Sequence, residues 1–294
     1  MTTQFKNVGL IGKLQDPHTA ETCKNLINYL KTQSISIYID NETAKLLETA
    51  TLRVVNKEKL GEITDLIIVV GGDGSLLHTA RLAVNYKTPI VGINRGRLGF
   101  LTDIKPSEIE TKIAAILAGH YNPEQRFLLA AHLNHKSSCS ALNDIVIASK
   151  DSAHMMEYEV YIDDCFMCSE RADGIIIATP TGSTAYALSG GGPIVHPALN
   201  AIVVVPMFSH TLTSRPIVLP GDSKITIIIG EKTDVPAKLS IDGQVHCSLQ
   251  PNDQVIIQKK PQTLTLLHPL DYDYFANVRS KLQWGKKLTS GESE

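Results

Sequence analysis

Leu66-Ile67-Ile68-Val69-Val70-Gly71-Gly72-Asp73-Gly74-Ser75-Leu76-Leu77-His78-Thr79-Ala80-Arg81 is the stretch that decides how this chain folds. Leu66 to Val70 has the length of a buried strand and carries no charge. The glycines end that strand in a tight turn with exposed backbone amides. Leu76, Leu77, Ala80 and Ala83 or Val84 then fall on one helical face. A strand, a Gly-rich turn and a helix N-terminus together form an anion site, because N–H groups and the helix dipole point into the turn. Asp73 is out of place in a turn that only holds phosphate. A carboxylate there suits a second task, either holding Mg²⁺ against phosphate oxygens or accepting a proton from a hydroxyl, and both belong to phosphoryl transfer. In isolation, Gly71-Gly72-Asp73-Gly74 reads better as a turn whose Asp caps the next helix.

On either side of this stretch, strands and helices alternate. Val8 to Gly12 reads as a buried strand and Thr19 to Leu30 as a helix with apolar Cys23, Leu26, Ile27 and Leu30. Ser34 to Ile39 is a second strand, Asn41 to about Thr49 a helix, and Pro89 to Asn94 a further strand. Pro106 to Ala118 is a helix with Pro106 in its first turn and Gly119 just past its end. Such alternation predicts a Rossmann-like α/β domain, its parallel sheet covered on both faces. Asp73 then stands at the carboxyl end of a strand, where open α/β sheets bind ligands.

After Asn122-Pro123 the pattern changes to strand after strand. Arg126–Leu133, Ala141–Ser149, Glu157–Ile162, Gly174–Ala178 and Ala201–Val205 come first. Pro216–Leu219, Lys224–Ile229, Leu239–Ile241, Gln254–Lys259 and Leu264–His268 follow. Strict alternation, as in Ile225, Ile227 and Ile229, implies antiparallel sheets with one covered face, a β-sandwich-like domain. The expected boundaries are 1–122 for the α/β domain and 123–269 for the β-rich domain. Residues about 270–288 pack back on the first domain, and the polar stretch from Lys286 ends in a disordered tail, 289–294.

Composition sets limits on function. A chain of 294 residues suits two domains, and 43% hydrophobic with 20% charged residues suffices for a sizeable core. A net charge of −2 argues against a general nucleic-acid binder and against an anionic-membrane surface. Met1 to Asn7 is polar, Val8 to Ile11 is too short for a signal sequence, and no run reaches membrane-spanning length. The expectation is a soluble, cytoplasmic protein. Cys23, Cys139, Cys165, Cys168 and Cys247 are scattered, as reduced thiols are. Cys165-Phe166-Met167-Cys168 has metal or redox spacing but no second pair, and His132, His135 and Cys139 lack a fourth zinc ligand at sensible spacing.

A second informative stretch runs from Arg171-Ala172-Asp173-Gly174-Ile175-Ile176-Ile177-Ala178 into Thr179-Pro180-Thr181-Gly182-Ser183-Thr184-Ala185-Tyr186-Ala187-Leu188-Ser189 and Gly190-Gly191-Gly192-Pro193. A buried strand leads into a turn crowded with hydroxyls, then a short helix, then a glycine run. Such glycines are expected to let a ligand approach the backbone. Tyr186 is suited to stacking on a base, and the hydroxyls to bonding its ring nitrogens. The plainer reading is a Ser/Thr-rich helix cap before a Gly loop. Two Gly-rich polar turns, each at a strand end, favour the ligand.

These motifs, with Asn143-Asp144, Ile93-Asn94-Arg95-Gly96-Arg97-Leu98-Gly99-Phe100-Leu101, Ser240-Ile241-Asp242-Gly243-Gln244 and Tyr274-Phe275…Leu282-Gln283-Trp284-Gly285, resemble the NAD kinase family from about Asp65 to Leu288. The resemblance implies a phosphofructokinase-like α/β domain and transfer of the γ-phosphoryl of ATP to the adenosine 2′-hydroxyl of NAD, giving NADP. It also implies a divalent metal, most simply Mg²⁺, and a homotetramer or homodimer with its site between the domains and near a neighbouring subunit. Carried over, Asp73 matches the proposed base, with Gly74 beside it. Asn143 and Asp144 match the pair on the adenosine and ribose hydroxyls, Asp replacing the Glu of many members. His154, Arg171 and Asp173 match further substrate contacts. Thr181 and the run Thr184, Ala185, Tyr186, Ala187, Leu188 and Ser189 match the adenine and ribose pocket, and Gln244 a later contact.

Two alternatives stand beside this. One is a lipid or sugar kinase sharing the Gly71–Gly74 turn, though no basic amphipathic helix is present to meet a membrane. The other is a non-enzymatic NAD(P)-binding sensor, which has no use for a carboxylate facing phosphate. A dehydrogenase is disfavoured, because Val8 to Gly12 leads into Lys13-Leu14-Gln15-Asp16 without a glycine cluster. Asp73 as base, as metal ligand or as orienting group, ATP or polyphosphate as donor, and NAD or NADH as acceptor all stay open.

Overall fold

The computed structural model describes residues 4–13, 17–47, 52–95, 99–134, 138–151, 154–231 and 236–285. The chain forms two compact units, one made of residues up to Glu124 together with those from Leu264 onward, the other of Gln125–Thr263.

The first unit starts with β1 (Asn7–Gly12), α1 (Pro17–Thr32), β2 (Ser36–Asp40), α2 (Asn41–Leu47), β3 (Arg53–Val55) and α3 (Lys57–Ile63). It continues with β4 (Leu66–Gly71), α4 (Asp73–Ala83), β5 (Ile90–Asn94) and α5 (Ile109–Leu117). The strands are parallel in the order β3-β2-β1-β4-β5. Strand order therefore reverses between β1 and β4, the switch point beside which open α/β sheets take ligands. Every residue of β4 is buried, which is why it reads as an uninterrupted apolar run. Cys23, Leu26, Ile27 and Leu30 of α1 turn inward as their spacing predicts, and Leu76, Leu77, Ala80, Ala83 and Val84 all enter the core. Burial in that core pushes the Cys23 thiol up to about 12, so it is an inert packing group.

Two elements escape the periodicity. β3 is a three-residue edge strand with no buried side chain, and α3 buries only Leu60 and Gly61, so neither carries an apolar stripe. The segment expected as one helix from Pro106 opens with a 3₁₀ turn, Pro106–Glu108, before α5. Gly119 does stop that helix, at φ +88°.

The second unit holds β6 (Asn122–Leu133, entering from the first unit), β7 (Ser138–Ala141), β8 (Asp144–Ser149), β9 (Met156–Ile162), β10 (Cys165–Ala172) and β11 (Gly174–Ala178). Then come α6 (Tyr186–Ser189), β12 (Ala201–Met207), β13 (Ile217–Pro220), β14 (Ile225–Ile229), β15 (Ala237–Ile241), β16 (Val245–Leu249) and β17 (Gln254–His268). The end of β17 returns to the first unit, where Leu266 pairs with Ile90, and α7 (Tyr274–Leu282) follows. One antiparallel sheet has the order β13-β12-β11-β8-β15-β16, and the other contains β10-β9-β14-β17. Ile145, Ile175, Ile177 and Val204 of the first meet Tyr158, Val160, Ile225 and Ile227 of the second in a single core. β11 is buried on its other face too, by Ala187 and Val195, which explains its continuous isoleucines.

The expected strand Ala141–Ser149 is in fact two, β7 and β8, broken at Leu142-Asn143 as the chain changes sheets. Conversely, Gln254–Lys259 and Leu264–His268 are one strand through Pro261. Among the described residues no helix is long and apolar enough to cross a membrane. Tail residues 286–294 lie outside the described residues.

Candidate functional site

β4 delivers Asp73 to the carboxyl edge of the parallel sheet. Gly72 is the extended residue before α4, at φ −100° and ψ −177°, and Asp73 opens the helix. Its carboxylate is not held by its own turn. Oδ2 accepts from the Phe100 N–H at 2.9 Å, while Oδ1 accepts from the Leu101 N–H at 3.1 Å and the Thr102 hydroxyl at 3.2 Å. Those donors belong to a segment fastened to β5. Asn94 Nδ2 donates to Thr102 Oγ1 at 2.8 Å, and the Asn94 N–H donates to the Ile104 carbonyl at 2.8 Å. The donors that steady this carboxylate thus come from a segment 27 to 29 residues downstream. An ionised carboxylate offers about four acceptor positions, so three bonds orient it and leave room for a substrate hydroxyl.

Gly99 is where that segment approaches the carboxylate most closely. A Cβ there would sit 2.0 Å from Asp73 Oδ1 and 2.4 Å from Thr102 Oγ1. Gly99→Ala must therefore displace the carboxylate or the segment. We expect kcat to fall by roughly 10²-fold, the cost of misplacing a reacting group by about an ångström. Steady-state kinetics checks this; unchanged kcat would mean that the Asp73 orientation is immaterial. Gly96, Arg97 and Leu98 of the same motif lie outside the described residues.

In the second unit, the break between β7 and β8 leaves Asn143 half-buried and buries Asp144, which is 5% exposed. The sequence reading missed the group that shapes this break. Asp242, itself buried, accepts from the backbone N–H groups of Leu142 at 3.1 Å, Asn143 at 2.8 Å and Asp144 at 3.3 Å. Asp242 and Gly243 are the two positive-φ residues of the β15–β16 hairpin, φ 49° and 65°. An Asp-Gly pair reads as turn chemistry, which hides the carboxylate's second task. Thr179 seals the other side, its N–H donating to the Asn143 carbonyl at 2.9 Å and its hydroxyl to the Leu142 carbonyl at 2.5 Å. Gly182 packs so closely that a Cβ would meet the Asn143 carbonyl oxygen at 2.1 Å. Arg126 was also missed: buried, it donates from Nη1 to Thr181 Oγ1 at 2.9 Å. Gln244 follows the same hairpin, its N–H on the Ile241 carbonyl at 2.9 Å.

Burial pushes the Asp144 carboxyl from the ordinary 3.8 up to about 7, and the Asp242 carboxylate adds to the rise. The folded protein thus retains a proton that the unfolded chain has released. The stability linked to it is full below pH 3.8 and lost as pH rises to about 7. Asp144 also becomes an acceptor-only group across the upper end of that window. If it receives ribose hydroxyls, KM for NAD falls several-fold between about pH 6 and about pH 8. Asp144→Asn should flatten that dependence; a dependence retained in the variant would exclude Asp144 as its source.

The remaining predicted residues divide. Thr184 lies in the 3₁₀ turn Gly182–Thr184, half-buried Ala185 links it to α6, and Tyr186, Leu188 and Ser189 lie on α6. Tyr186 is exposed, whereas the Ala187 side chain belongs to the core. Ser183 spends its hydroxyl internally, donating to the Pro180 carbonyl at 2.6 Å and accepting from the Val195 N–H at 3.0 Å. Packing and backbone conformation account for the glycine run. A Cβ on Gly190 or Gly192 would come within 2.9 Å of Val205, and Gly191 has φ +85°. His154, Arg171 and Asp173 lie elsewhere. Asp144 pairs with Ala178 but Ala148 with Gly174, so Asp173, one residue further, lies past the opposite end of β11, about 17 Å away along the strand. His154 is exposed there, Nδ1 2.8 Å from Asp151. His135, one of the three residues with zinc-like spacing, lies outside the described residues; among those described, no group of three metal-binding side chains occurs. Cys165 and Cys168 are free thiols on β10.

Residues 8–121 match the ATP-NAD kinase N-terminal domain and residues 142–268 the ATP-NAD kinase C-terminal domain. The chain belongs to the NAD kinase family. It is 48% identical to an NAD kinase of Azotobacter vinelandii over 98% of this chain and 99% of that protein. It is 49% identical to one of Chromohalobacter salexigens over 97% and 98%. Among solved structures, yeast NADH kinase complexed with NADH superposes with a TM-score of 0.89 at 26% identity, covering 98% of this chain and 90% of that one. An NAD kinase from Archaeoglobus fulgidus in complex with ATP gives 0.73 at 26% identity, covering 94% and 98%. The doubly wound unit and the β unit are thus the two domains of this kinase family.

Proposed function

We infer that the protein is a phosphotransferase that moves the γ-phosphoryl group of ATP to the 2′-hydroxyl of the adenosine ribose of NAD, giving NADP and ADP. The observation that carries this reading is a carboxylate fixed at the carboxyl edge of the parallel sheet in a chain that matches both domains of the family. A ribose hydroxyl is a weak nucleophile. Asp73 accepts its proton as the oxygen–phosphorus bond forms and the β–γ bridging bond breaks, with ADP leaving. Asn143 and Asp144 take the adenosine and ribose hydroxyls, with Thr181, Gln244 and the run from Thr184 to Ser189 lining the remainder. Bound with ATP, a divalent ion such as Mg²⁺ would supply neutralisation of phosphate charge. Asp73, the acidic residue in the Gly71–Ser75 turn, is the group that would face that ion.

The separation of His154, Arg171 and Asp173 from Asp144 supports a homo-oligomer in which this second cluster serves a neighbouring copy's site. Phe208, 78% exposed, and Leu212, 90% exposed, flank His210, whose N–H donates to the Arg171 carbonyl, so apolar surface adjoins that cluster. A monomeric mass by light scattering at assay concentrations would sink the oligomer. The absence of a membrane-length helix among the described residues and the free thiols support a cytoplasmic location.

The decisive experiment incubates purified protein with NAD, ATP and Mg²⁺ and reads NADP with an NADP-specific dehydrogenase. NADP formation is expected. Parallel reactions with NADH and with polyphosphate rank acceptor and donor. Binding of NAD without NADP in any arm would instead make the protein a sensor.

A further inference from the structure

His268 ends β17 beside buried Leu264, Leu266 and Leu267, yet it is only 2% exposed and polar. A carboxylate faces each ring nitrogen. Nδ1 lies 2.7 Å from Asp103 Oδ2 and Nε2 lies 3.0 Å from Glu124 Oε2. The Tyr272 ring stacks on the imidazole with centroids 4.0 Å apart. Nδ1 meets Asp103 through a hydrogen bond and Nε2 stands at ion-pair distance from Glu124, so a carboxylate on each side favours the imidazolium form. Burial alone pulls its pKa down, but the hydrogen bonds and charges of Asp103 and Glu124 outweigh burial and raise it. Asp103 arrives from the segment after β5, Glu124 from β6 and Tyr272 from the turn before α7, and these are the titratable groups that face the ring.

Asp103 is the residue after Thr102, in the segment whose donors hold Asp73. Its side chain is 7% exposed, so without the imidazolium it would be a buried, uncompensated charge. The segment would have to shift to hydrate it, carrying Phe100, Leu101 and Thr102 away from the Asp73 carboxylate. Asn94 and β5 restrain one flank of the segment and His268 the other.

We propose that His268 is a positioning residue for phosphoryl transfer, holding through Asp103 the segment that orients Asp73. The role rests on Asp73 acting at the reacting hydroxyl. His268→Gln, Asp103→Asn and Glu124→Gln are made in the full-length protein, beside Asp73→Asn, and kcat and KM are measured across pH together with thermal melting. His268→Gln and Asp103→Asn are expected to lower kcat by about 10- to 100-fold, with both KM values within about threefold. Wild-type kcat falls as pH rises through the raised imidazolium pKa. Glu124→Gln, losing one carboxylate, brings that fall to lower pH while Asp103 remains bound. A purely structural role predicts lower melting temperatures with kcat and the alkaline limb unmoved, and that result overturns the proposal. Should His268→Gln fail to fold, the other two variants carry the test. An inactive Asp73→Asn with fully active His268→Gln and Asp103→Asn refutes the positioning role alone. Full activity in Asp73→Asn refutes the reading beneath it.

Discussion

Asp73→Asn is expected to lower kcat at saturating NAD and ATP by about 10²- to 10⁴-fold, the range that a positioned proton acceptor contributes. Binding should change little, with each KM within a few-fold, because the side chain keeps its volume and one carbonyl oxygen. The substitution has a second consequence that must be separated. An amide N–H₂ would face either the Phe100 N–H or the Leu101 N–H and Thr102 hydroxyl, placing donor against donor. Thr102→Val supplies a comparison, since it keeps the carboxylate and both amides while removing the hydroxyl that donates to Asp73 and accepts from Asn94. It should cost on the order of 10-fold, a hydrogen bond to a charged group being worth about 1.5–3 kcal/mol, and so less than the loss expected of Asp73→Asn. Near-wild-type turnover by Asp73→Asn would exclude an essential role as base, metal ligand or orienting group alike.

Asp242→Ala should have the largest effect on the second unit. The substitution strips the acceptor from three backbone N–H groups, those of Leu142, Asn143 and Asp144. Each buried donor left unsatisfied costs about 1–3 kcal/mol, and partial relaxation keeps the total at roughly 3 kcal/mol. Urea unfolding reads that loss as a lower midpoint. The turn that presents Asn143 also loosens, so KM for NAD should rise by about 10-fold or more, and kcat less. A further signature separates this from general damage. With Asp242 gone, one cause of the raised Asp144 pKa disappears, and the pH at which KM improves moves below about 7. Unchanged KM and an unmoved pH dependence would show that Asp242 merely closes a hairpin.

The value of these two carboxylates was unequally visible in the chain. Asp73 stands out because a charged residue interrupts a Gly-rich turn after five apolar residues, a local anomaly. Asp242 sits in an Asp-Gly pair, where turn preference alone accounts for it. Arg126 and His268 carry no motif at all. Each acquires meaning from partners 55 and 165 residues distant, Thr181 and Asp103. The resemblance named residues for the pocket but gave no reason for the glycines at 190 to 192. Packing on Val205 supplies it for Gly190 and Gly192, and a positive φ for Gly191.

By itself the sequence determined the alternating strands and helices of the first unit, the antiparallel pattern of the second, and the placing of Asp73 at a strand end. All three follow from periodicity and turn chemistry within about 20 residues of chain. Only the tertiary structure decided what holds the chemistry in place. It set the Phe100–Thr102 amides and hydroxyl against Asp73, and Asp242 beneath the Leu142–Asp144 amides. It also put Arg171 and Asp173 at the far end of β11 from Asp144. The reason is physical: backbone N–H groups are the same at every residue, so which of them meets a carboxylate depends on strand register and loop packing, not on side-chain identity.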